Sequence, residues 1–151
     1  MTTLHNIISD HDNQHFATTS GTQTHKQLRK ITIAPDYETG DTNLIAQIKQ
    51  IPEHKFLFAP NTKTEIPIAG TIKNRFISRR IDRLYINDTD KNIAILDYKT
   101  DTDRKKFYSI YISQIQDYVN LLHAIYPDYK IDTYILWTHD FFLEKLNLKP
   151  L

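Results

Sequence analysis

The residues with the greatest chemical reach in this 151-residue chain are Asp82, Asp97 and Lys99. Asp82 belongs to Ile81-Asp82-Arg83-Leu84; Asp97 and Lys99 belong to Leu96-Asp97-Tyr98-Lys99-Thr100, beyond an Asn87-Asp88-Thr89-Asp90 turn. Side chains of a strand alternate between its faces, so Ile93, Ile95, Asp97 and Lys99 share one face. A carboxylate and an ammonium thus emerge side by side at the end of an apolar run. Asp82 lies one hairpin away, and the two carboxylates can converge. At about 4 Å they would repel by several kcal/mol, at an effective dielectric of about 20, unless a cation sits between them. Hard oxygen ligands suit Mg²⁺ or Mn²⁺. Lys99 would then orient a water and neutralise charge developing on a phosphate. The plainer alternative is a surface ion pair.

Two further residues break local rules. Glu65, one of four Glu against fourteen Asp, sits inside a strand-like run, where Glu is depleted. Gln114 falls on an apolar helical stripe, where a buried amide needs a partner or a ligand. Five basic residues (Lys73, Arg75, Arg79, Arg80, Arg83) accompany only Asp82 between positions 73 and 83. A second basic group, Lys99, Arg104, Lys105 and Lys106, is opposed by Asp101 and Asp103. Such local positive potential suits a phosphate backbone, although a solvated strand edge would carry the same residues.

The elements that must hold these groups are legible from period. Residues 1–20 are polar, with three His, and are expected to form a loosely ordered arm. Short helices are expected over residues 21–30 and 42–50, the second capped by Asp41 or Thr42. From Thr62 the period becomes two: one strand ends at Gly70, a second covers 75–86, and a third covers 91–99. This order predicts an antiparallel meander. From Lys105 to Tyr126 the period is helical, with Phe107, Ile110, Tyr111, Ile115, Tyr118, Leu121, Leu122 and Ile125 on one stripe, stopped by Pro127. A buried strand (130–138) and an edge strand (142–148) follow. The predicted fold is α/β, a central mixed β-sheet flanked by helices.

Composition narrows the chemistry. The chain is 40% apolar and 25% charged, as in globular domains, and has the length of one. It has no Cys, which excludes thiol nucleophiles, Cys-bound zinc and an iron–sulfur cluster. Three Gly leave no room for a phosphate-cradling glycine loop. No apolar run approaches the ~18 residues that cross a bilayer, so a cytoplasmic protein without membrane partners is expected.

Glu65, Ile81-Asp82, Leu96-Asp97-Tyr98-Lys99-Thr100 and Gln114-x-x-x-Tyr118 together resemble the motifs of PD-(D/E)XK nucleases of the RecB type. Gly21-Thr-Gln-Thr-His25 is similar to that family's Gly-x-x-x-His helix. The segments 52–60, 64–70, 81–84 and 131–138 resemble, more closely, the C-terminal nuclease domain of AddA-type helicase–nuclease subunits, and the resemblance spans residues 21–148. It implies a restriction-endonuclease-like core in a single nuclease domain over residues 21–151, and Mg²⁺- or Mn²⁺-dependent cleavage of DNA, single- or double-stranded, with exonuclease action ahead of endonuclease action. By the same resemblance, Asp82, Asp97, Lys99 and Glu65 would be catalytic. The metal would be held by His25, Asp82, Asp97 and the Tyr98 backbone carbonyl. Gln114, Tyr118, Arg79 and Arg80 would bind or position DNA. The implied partners are DNA and a helicase or AddB-like subunit in trans, and the implied process is double-strand-break repair or recombination. The chain departs from the pattern at Arg79, where the family usually has Gly, and in the short interval between His25 and Pro52. These departures suit an alternative, a catalytically silent DNA-binding or assembly module. A third reading is a structural domain whose motifs arise by chance.

Overall fold

The computed structural model describes residues 19–151, so the polar arm expected over 1–20 lies almost wholly outside the described residues. Helix α1 (Thr19–Arg29) is followed by a two-stranded ladder of β1 (Thr32–Ile33) and β2 (Glu38–Thr39) and by short helices α2 (Thr42–Ile48) and α3 (His54–Leu57). Then come β3 (Lys63–Ile72), β4 (Arg75–Asn87), β5 (Asn92–Lys99), α4 (Tyr108–Ile125), β6 (Lys130–Trp137) and β7 (Phe142–Leu146). The main sheet has the order β3-β4-β5-β6-β7. Only β5 and β6 run parallel, joined through α4; every other neighbouring pair is antiparallel. This is the expected α/β architecture, a central mixed sheet flanked by helices.

Each element has a local cause. Asp41 caps α2, its carboxylate accepting the Leu44 N–H at 2.9 Å. Lys73 and Asn74, at φ 51° and 66°, make the two-residue turn that lets β3 run past Gly70 to Ile72. Gly70 itself lies where α4 packs closest: a Cβ there would meet Leu121 Cδ2 at 3.0 Å. Pro67 is tolerated because β3 is an edge strand. Helix α4 begins at Tyr108 rather than Lys105, and its last residue, Ile125, is exposed rather than part of the apolar stripe.

Two cores lie on opposite faces of the sheet. Ile68, Ile77, Ile81, Leu84, Ile93 and Ile95 pack against α4 through Tyr111, Ile115, Tyr118 and Leu122. Ala94, Leu96, Tyr98, Tyr134 and Leu136 pack against Leu28, Ile31, Ile45, Ile48 and Phe58 of the N-terminal layer. The faces do not alternate without a break. Ile81 and Leu84 both face α4, and Arg83 between them faces the other way. The alternation therefore slips at Asp82. Ile66 of β3 faces α4, whereas Thr62, just before the strand, contacts Arg83 on the other side. The slip there falls at Glu65, whose φ is 54° and which drops out of the ladder between the Thr64–Arg83 and Ile66–Ile81 pairs. The two acids thus occupy one distorted rung.

The slip turns Arg83 into the N-terminal core, where it is 2% exposed. Its guanidinium donates to the carbonyls of Leu28 (3.1 Å), Arg29 (3.4 Å) and Ile31 (2.8 Å), which end α1. It also donates to Thr62 Oγ1 (2.6 Å) and Tyr98 Oη (3.0 Å), and lies over the Phe58 ring at 4.4 Å. A cation at a helix C-terminus satisfies orphaned carbonyls and opposes the negative end of the dipole. Replacing Arg83 by Ala should lower stability by about 3 kcal/mol or more, because several buried acceptors lose a charged donor together. Urea unfolding measures this, and a loss below about 0.5 kcal/mol, the range of ordinary surface substitutions, would remove Arg83 as the tie between α1 and the sheet.

Candidate active site

The β4–β5 ladder stops at the Arg83–Leu96 pair. Beyond it the strands part, and the Asp82 carboxylate fills the gap, its Oδ2 accepting the Tyr98 backbone N–H at 2.8 Å. The Lys99 carbonyl faces β6, accepting the Thr138 N–H at 2.9 Å. By alternation the Tyr98 carbonyl, one residue earlier, faces the gap with Asp82. Asp97 and Lys99 stand on the α4 face, each 2% exposed, with Lys99 Nζ 2.8 Å from Asp97 Oδ2. Gln114, from the apolar stripe of α4, accepts from Lys99 Nζ at 3.1 Å. The ammonium also lies 4.1 Å from the centre of the Tyr111 ring, and the Tyr111 hydroxyl donates to buried Asp101 at 2.6 Å.

Helix α1, held at its C-terminus by Arg83, brings His25 over the same gap. Its Nδ1 is 4.0 Å from Asp82 Oδ2, and its ring meets that of Tyr98 edge-on at 5.5 Å. A cleft of about 400 Å³ opens here, lined by His25, Asp82, Asp97, Lys99, Gln114 and Tyr118, with Pro67, Ser78, Arg79 and Arg80.

The remaining candidates are placed less directly. Glu65 stands at the distorted rung with its carboxylate 3.8 Å from Arg80, whose side chain is 68% exposed. Tyr118 is buried and donates to the Arg80 carbonyl at 3.0 Å, tying α4 to β4. Arg79 turns its guanidinium to the buried carboxylate of Asp117 in α4, at 3.0 Å. Arg75 approaches the same carboxylate at 3.5 Å. The basic group between 73 and 83 is therefore no common face: Arg83 is buried on one side and Arg75 and Arg79 are paired on the other. In the second group Lys99 is buried and Arg104 is bound to Asp140. Arg83, Tyr111, Asp101 and Asp117 carry no role in the sequence reading. Asp117 had a signal, an acid among the apolar residues of α4; Arg83 had none, being hidden among other basic residues.

The electrostatics follow from two carboxylates sharing one ammonium. Burial, and then the charge of Asp97, hold the Asp82 carboxyl well above the ordinary carboxylate range, although the Tyr98 N–H and Lys99 oppose this. Burial lowers the His25 imidazole below its usual value, which favours the neutral ring. Burial also raises the Tyr98 phenol to about 12. A neutral imidazole, two crowded carboxylates and a carbonyl are donor types that a hard divalent cation takes, and its charge would relieve the crowding. The side chains do not surround a common point as they stand: among the described residues no group of three or more His or acidic side chains is arranged to hold an ion.

No protein-family model matches the chain. No curated protein matches it in sequence. Among solved structures it is similar to SSO0001 at 17% identity and a TM-score of 0.42, over 72% of this chain and 50% of that one. It is also similar to a candidate exonuclease from Eubacterium rectale at 16% identity and a TM-score of 0.49, over 93% of this chain and 58% of that one. The chain thus spans about half the length of these neighbours. No described helix is long and apolar enough to cross a membrane.

The raised Asp82 group has a consequence for stability. The fold holds the proton more tightly than the unfolded chain does, so stability is lost as pH rises from about 4, the unfolded carboxyl value, through the higher folded value. Asp82→Asn keeps an acceptor for the Tyr98 N–H and removes the charge. In EDTA the variant should unfold at higher urea than wild type at pH 7, and the difference should close below about pH 4. A variant less stable than wild type at pH 7 would contradict the sign.

Proposed function

We propose that the chain is a metal-dependent deoxyribonuclease of the PD-(D/E)XK, RecB-like type, hydrolysing DNA phosphodiester bonds. The observation that carries this reading is the convergence of Asp82, Asp97, Lys99, Gln114 and His25 in one cleft, from four separate elements. Asp82, Asp97, His25 and the Tyr98 carbonyl are the groups that would hold Mg²⁺ or Mn²⁺. The ion, when bound, would supply Lewis-acid polarisation of the phosphate and a more acidic water. Lys99 supplies a desolvated positive charge beside the reacting phosphate. Gln114 and Tyr111 fix the direction of that ammonium. Exposed Arg80 offers a guanidinium for a neighbouring phosphate.

Exonucleolytic action, a helicase or AddB-like partner in trans and a role in double-strand-break repair or recombination belong to the same proposal. They rest on the sequence motifs.

A second reading, a silent DNA-binding module, draws on the open arrangement of the ligating side chains and on the closed Lys99–Asp97 pair. The two separate cleanly. With Mg²⁺ or Mn²⁺, wild type should degrade labelled DNA, EDTA should stop it, and Lys99→Ala should lose about 100-fold or more of the rate. Asp97→Ala should lose both cleavage and Mn²⁺ affinity. DNA affinity that survives Asp97→Ala, with no cleavage by wild type in either metal, would transfer the conclusion to the silent module. Cleavage untouched by Lys99→Ala would put the site elsewhere.

A further inference from the structure

The β3–β4 hairpin buries only one of its faces. Ile68, Ile77 and Ile81 point to α4, while the opposite face carries Pro67, Ala69 and Thr71 across from Arg80, Ser78 and Phe76. All six of these residues are exposed, and Phe76 is exposed to 67%. Phe76 is one of the few large apolar side chains left in water, on a face with no acidic residue among the six. Lys73 at the turn is exposed as well, whereas Arg75 turns to Asp117 of α4. The same face continues into the cleft, whose lining includes Pro67, Ser78 and Arg80. From Phe76 to Arg80 the strand rises roughly 13 Å.

Small residues between an outlying aromatic and a guanidinium leave a shallow path along which a sugar–phosphate chain can lie against the strand. Interior bases of a duplex are already stacked on both faces and cannot stack on a single exposed ring without being unstacked. Bases of a single strand can, and base–aromatic stacking is the common means of holding one without reading its sequence.

We propose that this face is the track for a single strand of DNA leading to the cleft, with Phe76 stacking a base and Arg80 taking a phosphate. The proposal rests on the DNA-acting reading above and assigns its substrate class. Affinity for labelled oligo(dT) in EDTA, read by fluorescence anisotropy, tests it without cleavage. Phe76→Ala and Phe76→Leu should each weaken binding about tenfold, the scale of one lost stack, with little effect on a duplex of equal length. Phe76→Trp should keep the affinity. Trp137 is fully buried, so the new exposed indole should dominate the emission change and be quenched by oligo(dT). Equal oligo(dT) affinity in all four proteins, a matching loss on the duplex, no quenching in Phe76→Trp, or no oligo(dT) binding by wild type would each overturn the track. Lys99-dependent cleavage by wild type and Phe76→Ala alike would overturn it while leaving the nuclease reading intact.

Discussion

A single distorted rung governs the molecule. Where Glu65 and Asp82 face each other across β3 and β4, both strands lose their alternation, and the consequences run in opposite directions through the sheet. Below the slip, Arg83 is turned into the N-terminal core and gathers the carbonyls that end α1. Above it, Asp82 is turned toward the gap where β4 and β5 part. Among the described side chains of helix α1, Leu28 alone is fully buried. Without the guanidinium its C-terminus would have weak reason to dock, and His25, one turn earlier, would have no fixed place. The positively charged anchor and the negatively charged site thus come from adjacent residues, held apart by the sheet itself.

The cluster at the gap is frustrated in a defined way. Asp97 has the Lys99 ammonium, and Asp82 has the Tyr98 N–H; neither removes the repulsion between the two carboxylates in a site largely shielded from water. Folding answers by favouring the proton on Asp82. Around Lys99 the contacts are complementary: a carboxylate, an amide oxygen and a ring face surround the ammonium, and the ring is fixed in turn by Asp101. Such sites cost stability and are kept where they do something else, since the same volume filled with apolar side chains would hold the sheet to α4 better.

Much of this was legible in the sequence because it depends on period. Alternation delivered the meander, helical spacing delivered α4, and residue type narrowed the α2 cap to Asp41 or Thr42, of which Asp41 makes the bond. Alternation also put Asp97 and Lys99 on one face, as they are. What period cannot announce is its own failure. Glu65 adopts a left-handed conformation without the Gly or Asn that usually signals one, so the slip at this rung left no trace beyond an acid in an unlikely place. The misreading of the basic group follows from it in part. Five neighbouring basic residues suggested one charged surface; the slip sends Arg83 to one core, while Asp117 draws Arg75 and Arg79 to the other. The ladder of β1 and β2, two residues a strand, is too short for any periodic signal.

The distribution of charge that results explains how an anion could approach at all. With Asp82 protonated the cluster of Asp82, Asp97, Lys99 and neutral His25 carries no net charge; with Asp82 ionised it is negative. The cleft therefore gives a phosphate little attraction at its floor, and the pull must come from the rim. Of the basic residues between 73 and 83, Arg79 and Arg83 are committed to the fold, Arg75 leans on Asp117, and Lys73 lies out at the β3–β4 turn. Arg80 remains at the lip, mostly in water, beside Glu65. Attraction at the mouth and near-neutrality at the floor favour a ligand whose charge is spread along a chain, because one phosphate can be gripped outside while its neighbour is carried in.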